Sequence, residues 1–307
     1  MHEFKRPSTR FFRRFCTLAV IFALSFLLVS VAYAQTGTSD DANTTATEPQ
    51  TLTIFAASSL TDVMQALGDA FSAQYNAEAP PEINYNFASS STLAVQLQQG
   101  ATAGVFASAN LIQMQNVVED DLINTEVVTT FATNELVIIV PEDNPGAVDT
   151  AANLSRLGIT LVLAAPGVPV REYTDELLRE LDRDFGMMFS ERVLRNLVSE
   201  EDNVRRVVAK IALGEADVGI VYRTDVTPDV IEDIRVIPLP AGVSPQAEYP
   251  IAPLQDAQTP DLAQAFIDFV LSDAGADILA EWDFGIPEPE ADAEGATEAE
   301  ATPSSDE

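Results

Sequence analysis

Cysteine and histidine are nearly absent from this chain of 307 residues. The one cysteine is Cys16 and the one histidine is His2, so the sequence beyond residue 16 contains neither a thiol nor an imidazole. Over that length the sequence excludes disulfide bonds, zinc sites built from cysteine or histidine, and Ser-His-Asp or Cys-His catalysis.

Basic residues are also scarce. The chain has 16 Lys and Arg against 48 Asp and Glu, which gives a formal net charge of −32. Such a charge repels nucleic-acid phosphates and anionic lipid surfaces, so the sequence argues against nucleic acid as a partner and against a polybasic role. No Lys or Arg occurs between Arg14 and Arg156. If the first part of the chain binds an anion, it must use neutral hydrogen-bond donors.

The chain does have enough apolar material for a large core. Hydrophobic residues make up 47% of it, and its length favours two lobes over one. Residues 1–14 are basic, 15–31 are apolar, and Ala32-Tyr33-Ala34 matches a signal-peptidase site. We interpret residues 1–34 as a signal peptide that directs the chain across the cytoplasmic membrane, into the periplasm or the extracellular space. The alternative is an uncleaved segment that tethers the protein to the membrane.

Two further segments have compositions that do not support folding. Residues 35–50 are polar without apolar periodicity, and residues 287–307 are rich in Glu, Ala and Pro. We predict a disordered linker and a disordered acidic tail, because neither segment can bury enough apolar surface to offset its conformational entropy. The remaining body, residues 51–286, has 11 bases and 36 acids, a net charge of −25.

Strand and helix patterns alternate along the body. Apolar runs at 52–56, 83–87, 136–140, 159–164 and 218–222 have the length of strands, and several lead directly into amphipathic helical patterns. Ser59, with Asp62 three residues later, forms a capping-box pattern at the first such helix. The alternation predicts an α/β fold with a mostly parallel sheet.

Serines cluster where two of these strands end. Ser58-Ser59 and Ser89-Ser90-Ser91 each follow a strand and begin a helix. Ligands of open α/β sheets bind at the carboxyl ends of the strands, where hydroxyls and free helix-start amides converge. The alternative is plain helix capping, although three consecutive serines exceed what one cap requires.

Six collinear motifs carry a resemblance to a known family. They are TLTIFAASSLT at 51–61, FASSSTL at 87–93, NELVIIVP at 134–141, EDNVR at 201–205, GIVY at 219–222 and YPIA at 249–252. Together they resemble the molybdate-binding proteins that serve ABC importers. The resemblance implies a type II periplasmic binding protein fold, in which two α/β lobes are joined by two crossing strands and the ligand lies in the interlobe cleft. Lobe 1 would comprise residues 51–133 plus 247–286 and lobe 2 residues 134–246, with crossings near 134–140 and 249–254.

The resemblance also implies the site. The family's oxyanion donors fall on Ser59, Ser90, Val170, Val204 and Tyr222, where they would hydrogen-bond molybdate rather than coordinate the metal directly. The two valines would act through their backbone amides. One departure is Arg171, which stands where the family usually has glycine; we expect this side chain to point to solvent and pair with an acid. The alternative is that Arg171 lies at a helix start beside the anion and adds positive charge there. The resemblance further implies an extracytoplasmic solute-binding protein, a monomer without a cofactor that delivers molybdate to a permease and its ATPase.

The ligand chemistry can be argued independently. Molybdate is a deprotonated dianion that only accepts hydrogen bonds, which suits hydroxyl and amide donors. Phosphate is disfavoured because its residual proton needs an acceptor near the donors, whereas tungstate is almost the same size as molybdate. Sulfate or another tetrahedral oxyanion remains an alternative ligand. A serine-dependent hydrolase is a weaker alternative, since only Lys210 and carboxylates could serve as a base and no Gly-x-Ser-x-Gly motif surrounds Ser59 or Ser90.

Overall fold

The structure is a computed structural model that describes residues 50–75 and 79–287. The predicted signal peptide, nearly all of the linker and nearly all of the acidic tail therefore lie outside the described residues. Among the described residues, alternating strands and helices confirm the α/β prediction. The strands are β1 (Thr51–Ala57), β2 (Glu82–Ala88), β3 (Val105–Ala107), β4 (Thr129–Pro141), β5 (Leu161–Ala164), β6 (Leu197–Glu201), β7 (Val218–Tyr222), β8 (Ile234–Ile237) and β9 (Gln246–Pro253).

The helices alternate with the strands, as the sequence predicts. Short 3-10 turns supplement them, among them Ser58–Leu60 between β1 and the first helix and Arg223–Asp225 directly after β7. The α-helices are α1 (Thr61–Tyr75), α2 (Ser90–Gln98), α3 (Leu111–Glu119), α4 (Pro169–Phe185), α5 (Phe189–Leu194), α6 (Val204–Ala212), α7 (Pro260–Val270) and α8 (Asp273–Glu281).

The strands form a mixed sheet along the path β2-β1-β3-β9-β4-β7-β5-β6, with β8 paired to β4 outside that path. β1 pairs in parallel with β2 and β3, and β5 pairs in parallel with β6 and β7. All pairs that include β4 or β9 are antiparallel. The prediction of a mostly parallel sheet is therefore wrong for these two strands, because β4 itself carries the chain from one half of the sheet to the other and β9 runs antiparallel beside it.

Strand β4 divides the sheet into two halves. Its first part, as far as Glu135, pairs with β9, and its second part, from Leu136, pairs with β7 and β8. We call the half that contains β1, β2, β3 and β9 sheet A and the half that contains β5 to β8 sheet B. The chain returns to sheet A between β8 and β9, upstream of the 249–254 segment that was expected to make this crossing. This strand arrangement agrees with the type II periplasmic binding protein fold.

Helix α6 lies close against the centre of sheet B. Gly219 in β7 allows this approach, since a Cβ built there would lie 2.9 Å from Val207 Cγ1. Val204, Val207, Val208 and Ile211 form the buried face of α6, as their helical spacing predicts. The packing holds the first residue of α6 beside the end of β7.

Candidate functional site

A small cavity lies where several strands end and helices begin. The centre of a water molecule can reach about 10 Å³ of it. That space is roughly what a single water needs, so the cavity suits only a small compact ligand. Its lining residues, none of them charged, are Ala57, Ser58, Ser59, Ser89, Ser90, Ala109, Val168, Pro169, Val170, Val204 and Tyr222.

All five residues predicted from the sequence line this one cavity. Ser59 and Ser90 come from the sheet A side, and Val170, Val204 and Tyr222 come from the sheet B side. Each of the five is buried. The structure thus brings together residues up to 163 positions apart in the sequence (59 to 222), and it supplies one place where both sides could contact the same ligand.

Ser59 lies in the 3-10 turn after β1. Its Oγ accepts a hydrogen bond from the Tyr249 hydroxyl at 3.2 Å. The predicted capping box with Asp62 is wrong: among the described residues, neither side chain accepts a hydrogen bond from the backbone amide of the other residue, and Asp62 instead pairs with Arg205. Because Ser59 Oγ accepts the proton of Tyr249, its own proton is left to donate.

The residues of the second serine cluster have different roles. Ser89 is the N-cap of α2 and its side chain accepts from the Thr92 amide at 3.2 Å, which confirms capping for this residue. Ser90 begins the helix, is fully buried, and accepts at Oγ from the Ala109 amide at 2.9 Å. Its hydroxyl proton therefore also remains available. One serine caps, and its neighbour faces the cavity.

Val170 and Val204 each occupy the start of a helix. Val204 is the first residue of α6, and Val170 follows Pro169 at the start of α4. Amides in a helix's first turn have no intrahelical acceptor, and the helix dipole places partial positive charge there. Gly167, with φ of +87°, lets the chain turn into α4. These two valines therefore offer N–H groups, while their isopropyl groups pack in the core.

Tyr222 is the last residue of β7, and it contributes a phenol side chain to the cavity lining. Its side chain is 1% exposed, and within the described part of the chain its hydroxyl has no hydrogen-bond partner. Tyr249, the neighbouring ring at 5.7 Å, donates to Ser59 and accepts from Asn134 at 3.3 Å. Burial, and then the neighbouring Tyr249, raise the pKa of Tyr222 well above its ordinary value. Its hydroxyl is therefore a protonated donor that lacks an acceptor.

A buried carboxylate that does not line the cavity, Asp225, contacts one of the lining residues. The Asp225 carboxylate, fully buried, accepts from the Tyr222 amide at 3.3 Å, and its Oδ1 lies 3.0 Å from Arg205 Nε. The latter contact is an ion pair without the alignment of a hydrogen bond. Burial raises the pKa of Asp225 to about 6, and Arg205 opposes that shift.

Arg171 does not point to solvent, and that part of the prediction is wrong. The residue is 8% exposed, and the pairing with acids is confirmed: its Nε contacts Asp175 at 2.9 Å and its Nη1 contacts Glu200 at 2.7 Å. Glu200 belongs to β6, a strand that the sequence analysis did not predict. Arg171 is helical rather than in a glycine-like conformation and does not line the cavity, so the departure from the family pattern leaves the wall neutral.

The cavity wall contains no carboxylate that could accept a proton from the ligand. Neither does the described part of the chain hold a cluster of three or more His, Cys, Asp or Glu residues that could bind a metal ion. Lys210, the candidate base for a serine hydrolase, contacts Ser199 and Glu201, each at 2.9 Å, and lies outside the lining. Ala109 was missed as a lining residue, although β3 and α3 repeat the strand-to-helix order that identified the serines.

Comparison with known proteins agrees with this geometry. Residues 52–285 match the family described as bacterial extracellular solute-binding protein. The chain is 35% identical to the molybdate-binding protein ModA of Mycobacterium tuberculosis over 238 residues, 78% of this chain and 85% of that protein.

Solved structures show the same fold. The Azotobacter vinelandii periplasmic molybdate-binding protein aligns with a TM-score of 0.64 at 17% identity, over 77% of this chain and 100% of that one. The sulfate-binding protein SubI of M. tuberculosis aligns with a TM-score of 0.69 at 16% identity, over 78% and 88% of the two chains.

Proposed function

Because this chain belongs to the bacterial extracellular solute-binding proteins, we propose that it captures molybdate, and also tungstate, and delivers the ion to an ABC importer. The partners would be the importer's permease and the ATPase that drives it. The relative that is 35% identical carries the name molybdate-binding protein, which supports this choice of ligand.

The observation that carries the proposal is the Tyr222 hydroxyl, which is unpartnered among the described residues, in a small cavity with an uncharged lining. A buried donor without an acceptor costs free energy, about 1–3 kcal/mol, unless a ligand satisfies it. The two serines and two valines of the predicted site line the same cavity, where they can offer two hydroxyl protons and two helix-start amides to a ligand. An oxyanion that accepts at every oxygen is the chemical complement of such a wall.

The magnitudes permit tight binding. A hydrogen bond to a charged group contributes about 1.5–3 kcal/mol, and bonds from the five proposed donors, less the desolvation of the dianion, are compatible with a binding free energy of about −9 kcal/mol. The chain's overall negative charge opposes the approach of a dianion. Screening over about 8–10 Å at physiological salt limits that opposition to short range.

The candidate oxyanions differ in whether they carry a proton near neutral pH. Phosphate keeps a proton near neutral pH and would need an acceptor, which the lining residues do not provide as a side-chain carboxylate. Sulfate has no proton and is the second candidate, because the same donors satisfy it; only a fixed spacing of the donors can discriminate against this smaller ion.

We further propose that the protein is a monomeric binding protein, not an enzyme, and that it acts outside the cytoplasmic membrane. The described residues include no helix long and apolar enough to cross a bilayer. The absence of a basic side chain from the lining supports binding rather than serine catalysis, since a serine nucleophile needs a base within hydrogen-bond reach.

Thermal unfolding of residues 35–307 with sodium molybdate, tungstate, sulfate or phosphate tests the proposal. A specific ligand at 100 times its dissociation constant adds about 2.7 kcal/mol to the unfolding free energy. We expect molybdate and tungstate to raise the midpoint, sulfate to raise it less, and phosphate to leave it unchanged.

Sodium chloride at matched ionic strength is the control for salt effects. If sulfate alone stabilised the protein, sulfate would replace molybdate as the proposed ligand. No shift with any of the four oxyanions would overturn oxyanion binding altogether.

A further inference from the structure

We propose that Arg205 is a positioning residue that ties the ligand-bearing segments of the two sheets together through one ion-paired bridge. This inference rests on the proposed function and deepens it, because it assigns a role to a side chain that does not line the cavity. The bridge is defined as Arg205 with its two carboxylate partners, Asp62 and Asp225.

The guanidinium makes two short contacts, of which the one with Asp62 is a hydrogen bond and the one with Asp225 is an ion pair only. Arg205 Nη2 lies 2.6 Å from Asp62 Oδ2, and Arg205 Nε lies 3.0 Å from Asp225 Oδ1. The Arg205 side chain is 26% exposed, that of Asp62 is 33% exposed and that of Asp225 is fully buried. One cation therefore joins two carboxylates from different elements in a partly dehydrated setting, where ion pairs are less screened than at an open surface.

Each member of the bridge adjoins a residue of the cavity wall. Arg205 directly follows Val204, which begins α6 and lines the cavity. Asp225 accepts a hydrogen bond from the Tyr222 amide and so fixes the end of β7. Asp62 lies in the first turn of α1, three residues beyond Ser59. The bridge thus acts on three of the five proposed donors without using the N–H or O–H group that each would offer to the ligand.

The bridge also spans the boundary between the sheets. Asp62 belongs to the sheet A side, whereas Arg205 and Asp225 belong to the sheet B side. Residues 51–133 and 247–286 contain no Lys or Arg, so only the sheet B side can supply the cation for such a link. A second polar link, from Asn110 Nδ2 to Glu172 Oε2 at 2.6 Å, joins the α3 and α4 starts. Both links depend on the two sheets being close together, so each favours the arrangement that closes the cavity.

The cation does not serve as a direct ligand. Arg205 is paired with two carboxylates, so it brings no net positive charge to the oxyanion. Its effect on affinity arises through placement: separating the two sheets to release the ligand breaks the contact with Asp62 but leaves that with Asp225. The bridge should therefore affect ligand release more than ligand association.

The test is molybdate binding by Asp62→Asn, measured by calorimetry and by dissociation kinetics. The amide keeps the size of the side chain and removes only the charge that crosses between the sheets. We expect the dissociation constant to rise about three- to tenfold, mainly through a faster off-rate. The thermal midpoint of the unliganded protein should change by no more than about 2 °C, because half-exposed ion pairs add little stability.

Arg206→Gln is the matched control. Arg206 is the next residue of α6 and pairs at 2.9 Å with Asp202, four residues earlier in the chain, with both side chains about two-thirds exposed. Its loss removes one charge from the same helix without touching the boundary between the sheets, so binding should stay at the wild-type value. Asp62→Glu, which keeps the charge, should restore part of the affinity. In the wild type, added salt should speed molybdate release, and this sensitivity should be smaller in Asp62→Asn.

The outcomes separate this inference from the proposed function. If the wild type does not bind molybdate, the proposed function fails. If the wild type binds and Asp62→Asn binds equally well with the same off-rate, the positioning role of Arg205 is overturned and the proposed function stands. An equal loss of affinity in Arg206→Gln would also overturn it, because breaking an ion pair that does not cross between the sheets would then be enough to weaken binding.

Discussion

The two sides of the cavity differ sharply in charge. Residues 51–133 and 247–286, the proposed first lobe, contain 16 acids and no base, whereas residues 134–246, the proposed second lobe, contain 20 acids and 11 bases. The first side contributes the hydroxyls of Ser59 and Ser90 to the cavity; the second contributes the Tyr222 phenol and the helix-start amides.

The difference shows that a cation-rich lobe need not present a cation to an anion. Two arginines of the proposed second lobe, Arg171 and Arg205, are each paired with two carboxylates, and neither lines the cavity. Neither side therefore presents a cation to the cavity, for different reasons: the first has no basic residue, and these arginines of the second are neutralised by their partners. Dipoles of uncharged groups are left to select the ligand.

The largest expected effect comes from removing the phenol of the second side. Tyr222→Phe should raise the dissociation constant for molybdate by about ten- to a hundredfold, the loss of one hydrogen bond to a charged acceptor. The unliganded protein should be as stable as the wild type or more stable, because the hydroxyl has no partner within the described residues. Calorimetry and thermal unfolding measure the two effects.

Tyr249→Phe is the matched control for this prediction. Tyr249 is equally buried, but its hydroxyl donates to Ser59 and accepts from Asn134. Its loss should lower the stability of the unliganded protein by about 1 kcal/mol. The role of Tyr222 as a donor would be refuted if Tyr222→Phe lowered stability in the same way and left affinity unchanged.

A smaller effect should follow from removing one amide of the second side. Val204→Pro should weaken molybdate binding by about tenfold or more, since proline lacks the N–H. The site tolerates the ring: Val204 is the first residue of α6, where proline is favoured, and Asn203 before it is extended at φ −158° and ψ 166°.

Val204→Ala separates the amide from the side chain. It keeps the N–H and removes buried methyl groups, so affinity should stay within a few-fold of the wild type while stability falls. Equal losses of affinity in the two variants would mean that the side chain, rather than the amide, matters.

The smallest effect concerns stability and the buried carboxylate of the second side. The pKa of Asp225 is raised to about 6 in the folded protein, against 3.8 as its ordinary value. A raised carboxyl pKa means that the folded state binds the proton more tightly, so this contribution is fully present below pH 4 and lost as pH rises through 6. The unfolding free energy should fall over that range by about 1–3 kcal/mol on this account.

The contribution is isolated by comparing the pH profiles of the wild type and Asp225→Asn. The amide can still accept from Tyr222 but does not titrate, so the difference between the two unfolding free energies should change with pH between 4 and 6.5. A difference that is constant across this range would show that Asp225 titrates near its ordinary pKa.

Much of the site could be predicted from sequence because its signals are local. A strand followed at once by serines predicts hydroxyls at the carboxyl end of a sheet, and this reasoning led to Ser59 and Ser90. The valine amides and Tyr222 came from the resemblance alone, since nothing in a valine side chain indicates an oxyanion donor. The structure brings all five to one cavity, and whether they bind the ligand remains a prediction.

The predictions that proved wrong all concern partners distant in the sequence. Asp62 was expected to form a capping box with Ser59. It instead pairs with Arg205, which lies 143 residues further along the chain. Arg171 was expected to be exposed, but Glu200 on β6 and the Ala164 carbonyl enclose it. Local patterns state what a side chain can bond to, not which partner will be near.

The sequence by itself determined the kind of chemistry available. It left no thiol or imidazole after residue 16, no base between Arg14 and Arg156, and hydroxyls at strand ends, and these facts hold for any fold of the chain. Only the tertiary structure decided how the groups are used. Among the described residues it left the Tyr222 hydroxyl without a partner, paired Arg171 and Arg205 with carboxylates outside the cavity lining, and set Arg205 across the two sheets. Such contacts join segments whose proximity depends on the packing of the whole sheet.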